Sequence, residues 1–310
     1  MNTKHITIGV DIGGSHVTCA AIDMAAGKLI PQTKNRASVN HQAEAEQILD
    51  AWASAINATI SQIDANRLAG IGFAIPGPFN YREGISQMQH KFARLYNVKI
   101  ADLLIHKLNV DHHLPMRFLN DATSFAVGEA WLGLGKGFNR VIAITLGTGF
   151  GSAFIDRGIP VTQGKNVPKE GCLWHLPYAS GIADEYFSTR WFTREYERIS
   201  GQKLPNVKAL AEAAEEDTAA KEVFVQFANH LTAFLVPWFR TFQADRLVIG
   251  GNIARAYALF GPVFEENLRE KQIPVSIALS KLGEQAALIG SARLFEAPFW
   301  EQIKDQLPAI

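Results

Sequence analysis

IGVDIGGSHVTCAAID, residues 8–23, and IAITLGTGFGSAFID, residues 142–156, follow one pattern. Each has a β-branched, apolar run, a glycine turn, a second apolar run and a closing Ile-Asp, and the two lie about 135 residues apart. Runs of this composition, split by a few glycine-rich residues, predict two strands joined by a tight turn. The runs are His5–Asp11 and His16–Asp23 in the first copy, Arg140–Leu146 and Gly151–Asp156 in the second. One repeat at this distance is too sparse for a solenoid. It predicts instead two similarly folded domains, each presenting a glycine hairpin to a shared cleft.

Outward from the hairpins the pattern is α/β. A third strand is expected around Leu29–Ala37, an amphipathic helix over Ala43–Ile63, and a strand over Leu68–Ile75 that ends at Pro76-Gly77-Pro78. Met116–Leu119 is a further strand, followed by a helix from about Ala122 to Leu134. In the second half, residues 181–243 are mostly helical and include a long helix over Lys221–Phe242. Strands at Arg246–Ile249 and Val275–Leu279 follow, then a helix over Glu284–Phe295. Helices and strands mix with hairpins rather than alternating strictly.

Composition narrows the function. The 310 residues are 47% hydrophobic, enough for a sizeable core and, at this length, two domains. Thirty basic and thirty acidic residues balance to zero net charge, which leaves no electrostatic footprint for nucleic acid or an anionic membrane. Cys19 and Cys172 are too few for a disulfide framework and are not spaced as a metal pair. Met1–His5 leads into a strand rather than a signal peptide, and Val141–Ile155 is too short and too glycine-rich to span a membrane. A cytoplasmic location is expected.

Three glycine turns follow apolar strands: Gly13-Gly14, Gly147-Thr148-Gly149-Phe150-Gly151 and Gly250-Gly251. Glycine lets successive backbone amides close on an anion, and such a nest can hold phosphate without a lysine. Ser15 and Thr148 add hydroxyl donors. No G-x-x-x-x-G-K-[ST] loop is present, and the Gly147-x-Gly149-x-Gly151 run stands between two strands rather than before a helix, so the dinucleotide fingerprint fails on context. Asp11, at the end of the first strand, is placed to hold Mg²⁺ directly or through water against nucleotide phosphates, or equally to cap the turn by accepting a Gly13 or Gly14 amide. Asp121, at a strand end and a helix start, is either a helix cap or a base that takes the proton of an attacking hydroxyl, with Asn120 holding the acceptor.

The motifs Val10-Asp11-Ile12-Gly13-Gly14-Ser15, Ile75-Pro76-Gly77-Pro78, Asn120-Asp121-Ala122, Leu146-Gly147-Thr148-Gly149-Phe150-Gly151, Ile249-Gly250-Gly251-Asn252 and Ala287–Ala292 come in the order of the ROK family of sugar kinases, which the chain resembles from residue 8 to residue 292. The resemblance implies an actin-like (ribonuclease-H-like) fold of two domains with an interdomain cleft that takes ATP-Mg²⁺ and sugar. The domains are expected to be residues 1–120 with a C-terminal helix at about 288–310, and residues 121–287. It implies Asp121 as general base toward a hexose or hexosamine hydroxyl, usually O6. Phosphate loops at Gly13, Gly14, Ser15 and at Gly147, Thr148, Gly149 are implied too, with Gly250, Gly251 and Asn252 on the nucleoside side. On the sugar side it points to Gly77, Asn120 and His175, with Glu170, Asp184 and Glu185 all open as the acidic contact, and Gln87, His90 and Lys91 as polar candidates. A homodimer or higher homo-oligomer is implied as well. The chain departs from the family in one place. Where the family carries a zinc-binding cysteine cluster, residues 169–181 read KEGCLWHLPYASG with one cysteine, so no structural zinc is expected. The family also contains regulators; a catalytically silent sugar sensor is the alternative function, while a first strand starting near residue 5 argues against a DNA-binding domain ahead of it.

Overall fold

The computed structural model describes residues 4–308; Met1–Thr3, expected to lead into the first strand, lie outside the described residues. In chain order the main elements are β1 (Ile6–Ile12), β2 (His16–Asp23), α1 (Ala45–Ile60), β3 (Leu68–Ile75), β4 (Met116–Asn120) and α2 (Asp121–Leu132). Then come β5 (Arg140–Leu146), β6 (Phe150–Asp156), α3 (Ala183–Tyr186), α4 (Thr189–Ser200), α5 (Thr218–Phe242), β7 (Arg246–Gly250), α6 (Tyr257–Glu270), β8 (Ser276–Leu279) and α7 (Gln285–Ala292). The expected third strand is broken in two, Lys28–Leu29 and Asn35–Ser38, by a 3₁₀ turn that starts at Pro31. Proline has no N–H to donate to a ladder, so a run that includes Pro31 cannot pair throughout. No helix among the described residues is long and apolar enough to cross a membrane.

The chain divides into two units: Met1–Gly133 with Gly158–Pro160 and Glu284–Ile310, and Leu134–Arg157 with Val161–Gly283. The first unit is a sheet in the order β2-β1-β3-β4, with the two short strands also pairing along β2. β1 and β2 are antiparallel in the register Asp11↔Thr18, and β1, β3 and β4 run parallel. The second unit repeats this as β6-β5-β7-β8, with an antiparallel β5–β6 hairpin and parallel β5, β7 and β8. The sequence repeat is therefore a repeat of topology.

Helix α2, assigned from sequence to the second domain, belongs to the first unit. It crosses α7 at very short range: a Cβ on Gly128 would stand 2.0 Å from the Ala286 carbonyl oxygen, and one on Gly290 would stand 1.8 Å from that of Ser124. No side chain fits there, so glycine sets the distance between the helices. Trp52, Phe73, Phe79 and Phe92 are fully buried in the first unit. The second is built on phenylalanine, with Phe154, Phe187, Phe192, Phe224, Phe227, Phe242, Phe260 and Phe264 fully buried. Packing of this kind holds the strand ends, where the candidate residues sit, in fixed positions.

Candidate active site

In the first unit, the candidate residues collect at the C-terminal ends of β1, β3 and β4. β4 runs into Asn120, which caps α2: its Oδ1 accepts the Thr123 N–H at 3.1 Å. Asp121 is the first residue of the helix and not its N-cap. Its Oδ1 accepts the Ala122 N–H at 2.9 Å and the Asn120 Nδ2–H at 3.0 Å. Neither bond uses Oδ2. Burial raises the pKa of the Asp121 carboxyl above the ordinary carboxylate range, while the Ala122 amide and the Lys91 ammonium draw it back down. The helix N-terminus favours the ionised form as well.

Asn120 is itself fixed. Its Nδ2 also donates to the Tyr81 hydroxyl at 3.3 Å, and Tyr81 donates to the Ile75 carbonyl at 3.1 Å. Gly77 lies beside this chain of bonds, since a Cβ there would stand 3.3 Å from the Tyr81 hydroxyl. Tyr81 has no motif around it in the sequence; its role shows only once the loop after β3 is folded back on β4.

Asp11 is the second acid. Its pKa is pushed up to about 7, first by burial and then by the charges of Asp121 and Glu284, against the opposing effect of Arg36. The alternative in which Asp11 caps Gly13 is not formed, because the Gly13 N–H donates to the His16 carbonyl at 2.9 Å. The turn Gly13–Ser15 leaves Ser15 exposed, with its hydroxyl 3.0 Å from His16 Nδ1. The charges of Asp121 and Glu284 both act on Asp11, so a cation there would be favoured by its surroundings. No group of three or more His, Cys, Asp or Glu among the described residues forms a metal cage. Mg²⁺ needs none, because it binds through one or two carboxylates, water and substrate phosphate. Asp11 fits that role.

His90 and Lys91 are exposed in the segment after Gly84, and Gln87 is partly buried there. Lys91 lies along the first turn: a Cβ on Gly14 would stand 4.0 Å from both its Cδ and Cε. The nearness of Lys91, Arg36 and Glu284 to these acids has no signal in the sequence, where they are spread over some 250 positions.

In the second unit, the β5–β6 turn exposes Thr148 and Gly149. The Gly147 carbonyl accepts both the N–H (2.8 Å) and the hydroxyl (3.0 Å) of Thr189 at the start of α4. Asp184, left open from sequence as a sugar contact, is committed to this turn. Its Oδ1 accepts the Phe150 N–H at 2.7 Å and its Oδ2 pairs with Arg190 at 2.7 Å. Glu185 turns back onto its own helix start, accepting the Ile182 N–H at 3.1 Å. Glu170 has a left-handed backbone (φ 59°) and lies 3.7 Å from Lys169. His175 is partly buried edge-on to the exposed Trp174, with ring centroids 5.3 Å apart. The Cys172 thiol donates to the Glu170 carbonyl at 3.5 Å.

The third turn follows β7, which pairs parallel with β5, so Gly250 lies opposite Thr145. Gly251 and Asn252 are exposed. Gly251 has φ 87°, and a Cβ there would meet the Leu146 carbonyl oxygen at 2.2 Å. Backbone packing alone demands glycine at this position.

The ROK family model matches residues 7–297. A glucokinase of Thermotoga maritima is 25% identical, over 93% of this chain and 96% of its own length. An N-acetyl-D-glucosamine kinase of Haemophilus influenzae is 24% identical, over 93% of this chain and 98% of its own. The crystal structure of a ROK family glucokinase from Streptomyces griseus in complex with glucose and AMPPNP superposes with a TM-score of 0.73, at 22% identity over 93% of this chain and 98% of that one. The actin-like fold expected from the motif order is thus the fold observed.

Proposed function

The chain belongs to the ROK family, and from that premise we propose that it transfers the γ-phosphoryl group of ATP to a hydroxyl of glucose, N-acetylglucosamine or a closely similar hexose, with Asp121 as general base. The observation that carries this is the arrangement at the end of β4. Asn120 does the capping, Oδ1 of Asp121 takes the Ala122 N–H and the Asn120 Nδ2–H, and the carboxylate shares its unit with the Gly13-Gly14 turn and Asp11.

In the reaction, Oδ2 of Asp121 takes the proton of the sugar hydroxyl as its oxygen bonds to the γ-phosphorus. The bond from that phosphorus to the bridging oxygen breaks, and ADP leaves with the electron pair. The burial that raises the pKa of Asp121 makes its carboxylate a stronger base toward the sugar hydroxyl. Tyr81 and Asn120 fix the carboxylate in one orientation, and much of the rate enhancement in such a transfer comes from positioning. Asp11 would hold Mg²⁺, directly or through water, and the ion would supply charge neutralisation for the phosphates. Amides of the Gly13-Gly14 and Gly147–Gly151 turns, with the Ser15 and Thr148 hydroxyls, are suited to phosphate oxygens, and Gly250, Gly251 and Asn252 to the nucleoside side. We place the acceptor at O6, the primary and least hindered hydroxyl that glucose and N-acetylglucosamine share. His175, Glu170, Gly77 and His90 are the proposed sugar contacts; Glu185 is a weaker one because it already caps its helix.

A coupled ADP-release screen tests this, with ATP-Mg²⁺ and glucose, mannose, fructose, allose, glucosamine and the N-acetylated hexosamines, and polyphosphate as a second donor. Sugar-dependent ADP release, with the 6-phosphate as product, is the expected result. Sugar binding without turnover would identify a silent sensor instead.

A further inference from the structure

Lys91 stands out as a cation whose position nothing in the proposed function has yet used. It lies in a segment anchored at both ends: Met88 and Phe92 are fully buried, and the Phe92 ring packs edge-on to Trp52 at 5.5 Å. Phe92 pays for that seat with a left-handed backbone, φ 50°. A non-glycine residue in that region costs on the order of 1 kcal/mol. The two buried anchors fix where the three residues between them, Lys91 among them and next to Phe92, leave the surface.

Lys91 leaves over the first glycine turn. The Cδ and Cε of Lys91 come within 4.0 Å of where a Gly14 Cβ would stand, so its stem occupies the space a side chain at residue 14 would claim. From there its charge reaches Asp121, whose acidity it increases. Asp11 in turn feels the negative charges of Asp121 and Glu284 and, against them, Arg36, which also acts on His16. The excess at this end of the sheet is negative, yet the group to be transferred is itself an anion. A phosphoryl group moving toward an acid-rich centre needs a positive charge close to its path, since charge stabilisation and positioning supply most of the catalysis. Lys91 is a polar candidate on the sugar side from the motif alone, and its stem lies along the first glycine turn.

We propose that Lys91 is a catalytic residue whose ammonium contacts the γ-phosphoryl group in transit between the Gly13-Gly14 turn and Asp121. This rests on the kinase function proposed above. The chain would thus supply to this anion, from a loop 77 positions away, the lysine that its glycine turn lacks.

The test uses Lys91→Met and Lys91→Arg in the full chain, with ATP-Mg²⁺ and whichever of glucose or N-acetylglucosamine the wild type phosphorylates faster. Lys91→Met should lower kcat by about 10²-fold while the KM for sugar and its directly titrated Kd stay within about threefold. Lys91→Arg should recover at least a tenth of wild-type kcat, because a guanidinium still meets a phosphoryl oxygen. Melting temperatures within a degree or two of wild type will show that the fold is kept, as expected for an exposed side chain. A fall in kcat of less than tenfold in Lys91→Met overturns the assignment. So does a rise in sugar KM as large as the fall in kcat, which would make Lys91 a sugar contact, or an arginine variant as poor as the methionine one. If the wild type itself phosphorylates no sugar, the kinase function fails first and Lys91 with it.

Discussion

The two glycine hairpins share a topology and differ in charge. In the first unit, Asp11 stands one residue before the end of β1 and Asp121 follows β4. In the second, the residue in the position of Asp11 is Thr145, and β8 is followed by Ser280 and Lys281. One framework has thus been used twice, with acids at the C-terminal ends of its parallel strands in the first unit and none at those positions in the second. On the proposed function, the first takes a cation and a proton, and the second offers amides and hydroxyls to phosphate. The difference teaches that the sheet provides the turn, and that a few side chains at strand ends decide whether the turn only binds or also reacts.

Making the first hairpin like the second is the strongest way to break this comparison. Asp11→Thr should lower kcat by about 10³-fold or more at saturating ATP, with the magnesium requirement shifted to higher concentration, since a hydroxyl cannot replace a carboxylate on Mg²⁺. Initial rates over a magnesium titration check it; wild-type rates at low magnesium would remove Asp11 from the site.

The same variant sharpens the comparison through stability. The Asp11 carboxyl titrates near 7 in the fold, against an ordinary value of 3.8. Between these values the native state keeps a proton that the unfolded chain has lost, so wild-type stability falls as pH climbs from about 4 to about 7 and then levels off. The fall attributable to Asp11 is at most about 4 kcal/mol. Asp11→Thr should lack that component, as seen in denaturant titrations at pH 4.5 and pH 8 in magnesium-free buffer.

A smaller contrast concerns the turns themselves. Gly251→Ala drives a Cβ into the Leu146 carbonyl and demands φ 87° of an alanine, so it should cost about 2–3 kcal/mol of stability. Gly14→Ala meets only the flexible stem of Lys91 at 4.0 Å and should change stability by less than about 1 kcal/mol, while lowering turnover. Thermal melts of the two variants, read beside their rates, separate a glycine kept for packing from one kept for phosphate.

Much of the fold was legible because hairpins and amphipathic helices are local. β2, β3 and β5 run over the residues expected from the pattern, and β1 and β6 differ from it by one residue at each shifted end. The break at Pro31 shows the limit, since composition favoured a strand that one missing donor prevented. Placement of α2 with the first unit depended on the contact of Gly128 and Gly290 across some 160 residues, for which no local signal exists. The acids of the site were visible as types at strand ends, but their roles were not. Asn120 turned out to cap the helix in place of Asp121, and Asp184 to brace the second turn. Tyr81, Arg36 and Glu284 act only through contacts that folding creates.

Rapid-quench single-turnover kinetics of Asp121→Asn test whether Asp121 takes the proton of the sugar hydroxyl. With enzyme in excess over labelled ATP and saturating sugar, the amide variant should form sugar phosphate about 10⁴-fold more slowly than wild type while titrating the sugar with an unchanged Kd. Formation of sugar phosphate at the wild-type rate would contradict the assignment and return Asp121 to the role of a structural carboxylate at the start of α2.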